Sequence, residues 1–325
     1  MGSRWYSIGV VTLWLASMTW LVATKMVPHL LVGEAPTYRT TVQAQLGQPP
    51  IGWTVSMNGT TMGWALTTVT KTDDTTLVHS MVHFDRAPLG PLLEPLERIL
   101  PAPLRALFWV NRQSMTQLEM EVESKLWIDA LDSLNSFEAK LRARPLHEVI
   151  KMSGTVKDSQ LEVTVQSGTQ TPLTIPIPIP QKEVLSGSLS PQIRLPGLQL
   201  GQTWRVPTYN LYLTADQPIE YLRAEVTETY LLRWNGKVED TWLVLYRNEN
   251  TPSQRGDDVC GKLWVRPDGT ILKQQICILN SWVSFHRMSD DEAIALEAEQ
   301  AKKARARMRS SPEESETGRQ RPTVP

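Results

Sequence analysis

Two stretches decide the fold: Gly52–Thr70, GWTVSMNGTTMGWALTTVT, and Glu220–Tyr246, EYLRAEVTETYLLRWNGKVEDTWLVLY. In each, an Asn-Gly pair stands between two runs rich in Val, Thr, Leu and Trp, residue types that suit a pleated, half-buried surface. Asn58-Gly59 and Asn235-Gly236 can take the positive φ angles of a type I′ turn, the tightest link between antiparallel strands. Each stretch therefore predicts a hairpin.

A third hairpin follows at Cys260–Leu279, CGKLWVRPDGTILKQQICIL. Pro267 presets φ for a type I turn, and Gly269 can take the left-handed position after it. Further strands are predicted at Thr75–Phe84, Met115–Trp127, Phe137–Arg142, Glu148–Thr155 and Gln160–Gln166. Strands joined by hairpins form an antiparallel sheet. Thr174–Pro180, TIPIPIP, has two readings. As a strand it lacks donors on one side only, which suits a sheet edge. As an extended polyproline-like linker it needs no partner strand.

Helix signals are few. Leu92–Phe108 is apolar at helical spacing but interrupted by Pro95, Pro101 and Pro103, which predicts two short pieces able to cover the mouth or a face of a sheet. A clearer helix is expected over 289–309. Ser289 and Glu292 form a capping-box pattern, Asp290 and Asp291 lie in the first turn, and the basic run from Lys302 to Arg309 closes it, as the helix dipole prefers. That run could touch acidic lipid headgroups or be a solvated face paired by Glu299–Lys303. Residues 310–325 are polar with Pro and Glu, the composition of a disordered tail.

From Trp5 to Thr24 no residue is charged, and Arg4 and Lys25 bound the run. Its length matches the roughly 20 residues that cross a bilayer as a helix, with Trp5, Tyr6 and Trp20 near the ends. Residues 1–28 are expected to be a transmembrane anchor. A cleaved signal peptide is the competing reading, but no clear small-x-small cleavage site follows. With the short MGSR tail in the cytoplasm, the main domain would lie outside it.

The 325 residues carry a net charge of -1, 41% hydrophobic and 21% charged residues, so nothing global draws the chain to nucleic acid. Twelve Trp against four Phe is unusual. Trp53, Trp64, Trp109, Trp127, Trp204, Trp234, Trp242, Trp264 and Trp282 are spread along the body. They would make an apolar groove if several share a concave face, and only core if they fill the space between sheets.

No H-E-x-x-H, C-x-x-C, G-x-S-x-G or Walker loop is present, so no catalytic residue, metal ligand or cofactor is assigned and an enzyme is not expected. His79 and His83 would share a helix face, but on a strand they stand roughly 13 Å apart at a rise of about 3.3 Å per residue, too far for one ion. Cys260 and Cys277 lie on the two arms of the third hairpin. A two-residue turn sets them opposite each other, where a disulfide is feasible. A three-residue turn sends them to opposite faces unless a bulge intervenes. An oxidising compartment favours the bridge, and two buried free thiols are the alternative.

Taken together, GWTVSMNGTTMGWA (52–65), VIKMSGTVKDSQLEVTV (149–165), LPGLQLGQTW (195–204) and GKLWVRPDGTILKQQ (261–275) resemble a group of uncharacterised bacterial envelope proteins with an N-terminal anchor or signal and a long antiparallel sheet. Similar modules precede transglutaminase-like domains, and they are related in style to lipoprotein-carrier β half-barrels. The resemblance implies a fold type and an envelope setting and carries over no functional residue. No transglutaminase-like catalytic domain is expected after the sheet in residues 287–325.

The expectation is a mostly β protein. An anchor (1–28) leads to a large antiparallel sheet over 37–286, as a half-barrel or sandwich with a short covering helix, then the C-terminal helix and tail. Two functions from different classes fit. One is a membrane-anchored extracytoplasmic module that binds an apolar or lipid-like ligand. The other is an envelope scaffold that presents a sheet face or edge to a protein partner.

Overall fold

Ile51–Arg287 folds as one antiparallel sheet, with a single long helix after it. The fold is that of a computed structural model, which describes residues 43–72, 74–88, 117–129, 134–144, 149–157, 160–167, 172–178, 191–192, 194–209, 219–248, 258–278 and 281–310, with Trp14, Ser17, Met18 and Trp20. The first seven strands are β1 (Ile51–Met57), β2 (Thr60–Thr72), β3 (Thr75–Pro88), β4 (Gln117–Ile128), β5 (Leu134–Arg144), β6 (Val149–Lys157) and β7 (Gln160–Ser167). They are followed by β8 (Leu173–Pro178), β9 (Thr203–Tyr209), β10 (Ile219–Trp234), β11 (Lys237–Asn248), β12 (Val259–Val265), β13 (Ile271–Ile278) and β14 (Ser281–Arg287). Helix α1 is Asp290–Ser310. The order across the sheet is β8-β7-β6-β5-β4-β3-β2-β1-β14-β13-β12-β11-β10-β9. It is a meander from β1 to β8 and another from β9 to β14, sealed where β1 pairs with β14.

The turns have the chemistry their residues dictate. Asn58 (φ 50) and Gly59 (φ 82), and Asn235 (φ 47) and Gly236 (φ 76), are all left-handed, as type I′ turns require. The β12–β13 turn is the three-residue Pro-Asp-Gly form: Gly269 N donates to Arg266 O at 2.8 Å and Arg266 N to Thr270 O at 2.8 Å. Gly269 is obligatory twice over, since its φ is +86 and a Cβ there would lie 2.7 Å from Pro196.

The core occupies one face of the sheet. Trp53 and Val55 on β1, Val244 on β11 and Phe285 on β14 are fully buried there, joined by Leu263, Val265 and Trp204. A flat sheet of fourteen strands would be about 60 Å wide at the usual spacing and would leave that face wet. These side chains are dry, so the sheet coils around the face, as long twisted sheets do. A strap over residues 194–202 closes part of the concave side. Leu195 N donates to Gly269 O (2.9 Å), Gly201 N to Val226 O (2.9 Å), and Leu195 and Leu198 pack into the core. Tyr246, buried in that core, donates its hydroxyl to Gln192 Oε1 at 3.1 Å, and burial raises its phenol well above its usual range.

Helix α1 lies on the convex side over β1. Its start is the expected capping box: Ser289 N and Oγ both contact Glu292 Oε2, at 2.8 and 2.7 Å, and Glu292 N donates to Ser289 Oγ at 3.3 Å. Gly52 makes room for it, since a Cβ there would meet Ala293 Cβ at 3.0 Å. The expected Glu299–Lys303 pair is formed at 2.6 Å.

TIPIPIP resolves as a strand at an edge. β8 pairs only with β7, among the described residues, and Pro176 and Pro178 sit opposite Glu162 and Gln160. A proline cannot donate to β7, so both lie on the open side. β9, which the sequence reading missed, ends the sheet at the other edge. Val226 N donates to Gln202 O at 3.0 Å, which makes Trp204–Ala224 and Val206–Leu222 the hydrogen-bonded pairs. Pro207, opposite Tyr221, then also turns its missing donor outward.

The expected covering helix at Leu92–Phe108 and the tail from 311 lie outside the described residues, as does all but four residues of the expected anchor. Those four are helical, and Trp14, Met18 and Trp20 are exposed. No helix among the described residues is long and apolar enough to cross a membrane.

Candidate binding face

The alternation along two strands sets the site. In β4, QLEMEVESKLWI, Met120, Val122 and Leu126 alternate with Glu119, Glu121, Glu123 and Lys125. In β5, LNSFEAKLRAR, Phe137, Ala139 and Leu141 alternate with Glu138, Lys140 and Arg142. Successive side chains point to opposite faces, so one face is apolar and the other charged.

The registers carry that face across the sheet in unbroken rows. One row is Val69, Val78, Leu126, Phe137, Gly154 and Val163. The next is Thr67, Ser80, Ser124, Ala139, Met152 and Val165, where Thr67 and Ser80 hydroxyls satisfy each other at 2.9 Å. A third is Ala65, Val82, Val122, Leu141 and Ile150. Ala65 and Val82 belong to the main core and Val122 packs against it, so the concave surface is continuous from the closed half into β4–β7. Gly154 lets the Phe137 ring lie flat across β6, in contact with the position a Cβ would occupy.

The two halves differ in cover. On β1, β11 and β14 the concave Trp53, Val55, Val244 and Phe285 are fully buried. On β4–β6, Val122, Leu126, Phe137, Leu141 and Met152 are only half-buried, while Leu161 and Val163 on β7 are buried. The result is an apolar trough with its strongest exposure along β4–β6.

The convex face behind the trough is held by charge. Glu123 accepts from His79 at 3.2 Å and contacts Lys125 at 3.4 Å. The His79 hydrogen bond, then the Lys125 charge, outweigh partial burial and hold its carboxyl at about 2. Arg142 donates to Glu121 at 2.8 Å. His83 bonds Asp85 at 3.0 Å and stacks on Trp64 with 5.4 Å between ring centroids. His79 and His83 thus have separate partners on one strand, and no group of three His, Cys, Asp or Glu able to hold a metal occurs among the described residues.

The tryptophans do not line one groove, the first of the two readings that their number left open. Trp53 and Trp204 are core on the concave side, and Trp242 packs beside them. Trp64, Trp127, Trp264 and Trp282 fall on convex rows, while Trp234, at the β10–β11 turn, donates its ring N–H to Arg287 O at 2.8 Å. Trp109 lies outside the described residues. The trough is lined by Val, Leu, Met and Phe137, and its signal was the alternation in β4 and β5 rather than the Trp content.

Cys260 and Cys277 are not bridged to each other in this structure. The turn between them is the three-residue form, and a bulge between Trp264 and Val265 resets the register. A second bulge, between Tyr246 and Arg247 on the β11 side, leaves Cys260 as the extra residue. It packs against the concave core and donates to Tyr246 O at 3.3 Å. Cys277 follows Ile276, a core contact, and so falls on the convex face opposite Trp282.

No protein-family model matches the chain, and no curated protein does. Solved structures similar to the chain include two proteins of unknown function. One is a β-barrel-like protein of the domain of unknown function DUF1849 from Brucella abortus, with 6% identity, a TM-score of 0.43, and 74% of this chain covering 94% of that one. The other is a DUF1089 family protein from Pseudomonas aeruginosa, with 14% identity, a TM-score of 0.32, and 64% covering 87%. The likeness is one of β architecture.

Proposed function

We propose that the protein is a membrane-anchored, extracytoplasmic binding module that holds an apolar, lipid-like ligand in the trough of β4–β7. The observation that carries this reading is the partly buried apolar patch of Val122, Leu126, Phe137, Leu141 and Met152, spread over three neighbouring rows and continuous with a fully buried core. An apolar face of this extent left partly in water is costly at roughly 25 cal/mol per Å², and covering it with an acyl chain recovers that energy. The only side-chain hydroxyls in the middle row, Thr67, Ser80 and Ser124, leave little to recognise a polar ligand. The uncharged run Trp5–Thr24 supports a membrane setting, and the exposed Trp14, Met18 and Trp20 suit lipid contact.

The scaffold reading loses support at the edges. Strand addition needs a row of free N–H groups, and Pro176, Pro178 and Pro207 interrupt it on the open sides of both edge strands. At those strands a partner would have to dock on a face instead.

The test is binding of a fluorescent fatty acid to the full-length protein in nanodiscs, comparing wild type with Met152→Glu. A carboxylate in the middle row should weaken binding at least tenfold, since burying it unpaired costs more than about 1.4 kcal/mol. Equal binding by both proteins sinks the trough reading.

A further inference from the structure

We infer that the outer edge of β10, from Thr229 to Arg233, is a strand-addition site for another protein. It takes an extended segment with an acidic residue two positions before an apolar one. β10 outlasts its neighbour. β9 pairs with it only over Ile219–Glu225, and the strap takes over once, where Gly201 N donates to Val226 O and Val226 N to Gln202 O. Past Val226 a bulge adds one residue to β10 and reverses which backbone groups turn outward. Beyond it, the type I′ turn makes Trp234–Lys237 a hydrogen-bonded pair, and Leu232–Glu239 and Tyr230–Thr241 follow. Thr229, Leu231 and Arg233 stand between these, so each turns its N–H and C=O away from β11. No strand among the described residues takes them up.

This stretch differs from the two ends of the sheet, where Pro176, Pro178 and Pro207 break the row of outward donors. Here every outward residue keeps its donor, and all three are exposed. Each can exchange two hydrogen bonds with an antiparallel strand. Apolar side chains flank the edge on both faces. Leu231 (65% exposed) and Val238 (64%) stand on one, and Tyr230 (44%) on the other. The ribbon is also fixed before anything binds. Trp234 donates its ring N–H to Arg287 O at 2.8 Å, Tyr230 meets Trp264 edge-on at 6.1 Å, and Glu239 lies 3.5 Å from Arg266. An edge already held in place loses little entropy when a strand docks.

Charge selects the occupant. Arg233 shares the Leu231 face and Glu228 the Tyr230 face, and both are exposed. On an antiparallel partner, the residue opposite Arg233 comes two positions before the residue opposite Leu231. An acid followed by an apolar residue therefore matches that face, and a base opposite Glu228 matches the other. A second copy of the chain supplies neither match. Antiparallel pairing sets like face against like face, so within the open stretch Arg233 meets only Thr229, Leu231 or another Arg233. Glu228 meets only Tyr230, Leu232, Trp234 or another Glu228. The complement has to come from a different protein.

The probe is the synthetic peptide acetyl-Ser-Glu-Val-Val-Thr-Thr-Lys-amide, added to the full-length protein in phosphatidylcholine nanodiscs. Amide exchange is followed by mass spectrometry. Peptide at about ten times its Kd should slow exchange over 229–233 roughly tenfold and leave β4 unchanged. Leu231→Pro removes the central outward donor and leaves the pairing with β11 intact, as the prolines of β8 do for β7, so it should weaken binding at least tenfold. Arg233→Glu keeps every backbone group. It should reverse the preference between this peptide and one with Lys in place of its Glu. No binding at about 1 mM, or equal binding by Leu231→Pro, overturns the inference. So does an unchanged preference in Arg233→Glu. Protection of 229–233 by the disc without peptide would assign the ribbon to the membrane, and protection that rises with protein concentration would assign it to a second copy. Either result also overturns the inference. β10 makes no pairing with the trough strands β4–β6, so none of these outcomes bears on the lipid reading.

Discussion

Glu123 shows how the trough is supported from behind. Its carboxyl, held at about 2 by His79 and Lys125, links β4 to β3 across the convex face. Because the folded value is depressed, this contribution is complete above the ordinary carboxylate range, near 4.5, and is lost as pH falls from there through about 2. The size is at most about 3 kcal/mol, reduced by screening at this partly solvated pair. Urea midpoints for wild type and Glu123→Gln should therefore differ clearly at pH 6 and converge near pH 2. A gap that stays constant with pH would show that the ion pair does not supply it. At this scale much was legible in the sequence. Asn58, Gly59, Asn235, Gly236 and Ser289 each take the conformation or contact their chemistry dictates. Cys260 was not legible, because its position is decided by two bulges that no local residue pattern announces.

Among the elements, the edge strands and the helix lead to the clearest expectations. β8 and β9 end a long open sheet, a liability that the outward prolines manage. Replacing them in a Pro176→Val/Pro178→Val variant restores two outward donors. That protein should associate with concentration in light-scattering chromatography where wild type does not, and an unchanged monomer would refute the assignment of the open side. Helix α1 rests on the sheet chiefly through Ala293 over Gly52, so its first turn depends on its cap. Ser289→Ala should cost about 1 kcal/mol locally and speed amide exchange over 290–300, with little change in the sheet. The strand runs were readable because alternation and turn residues agree, as in QLEMEVESKLWI and LNSFEAKLRAR. β9 was not, since TWRVPTY is short, contains a proline, and is a strand only because β10 offers it a partner.

As a whole, the protein is one sheet with two characters. From β9 through β14 and into β1–β3 the concave face closes on itself under the strap, with Trp53, Val244 and Phe285 dry. From β4 to β6 the same face continues in Val122, Leu126, Phe137, Leu141 and Met152, which are only partly buried. Sequence alone reached the antiparallel architecture and the idea of an apolar surface. It could not say whether the tryptophans form that surface or only core, because Trp content reports buried area without reporting which face buries it. The registers, which depend on bulges, decide the faces. The central claim is that this open half holds a lipid-like molecule. The most direct test is photo-crosslinking of the full-length protein in membranes of cells fed a diazirine fatty acid, with adducts mapped by peptide mass spectrometry. Adducts are expected on β4–β6, at Val122, Leu126, Phe137, Leu141 and Met152. Adducts confined to Trp5–Thr24, with none on those strands, would contradict the account.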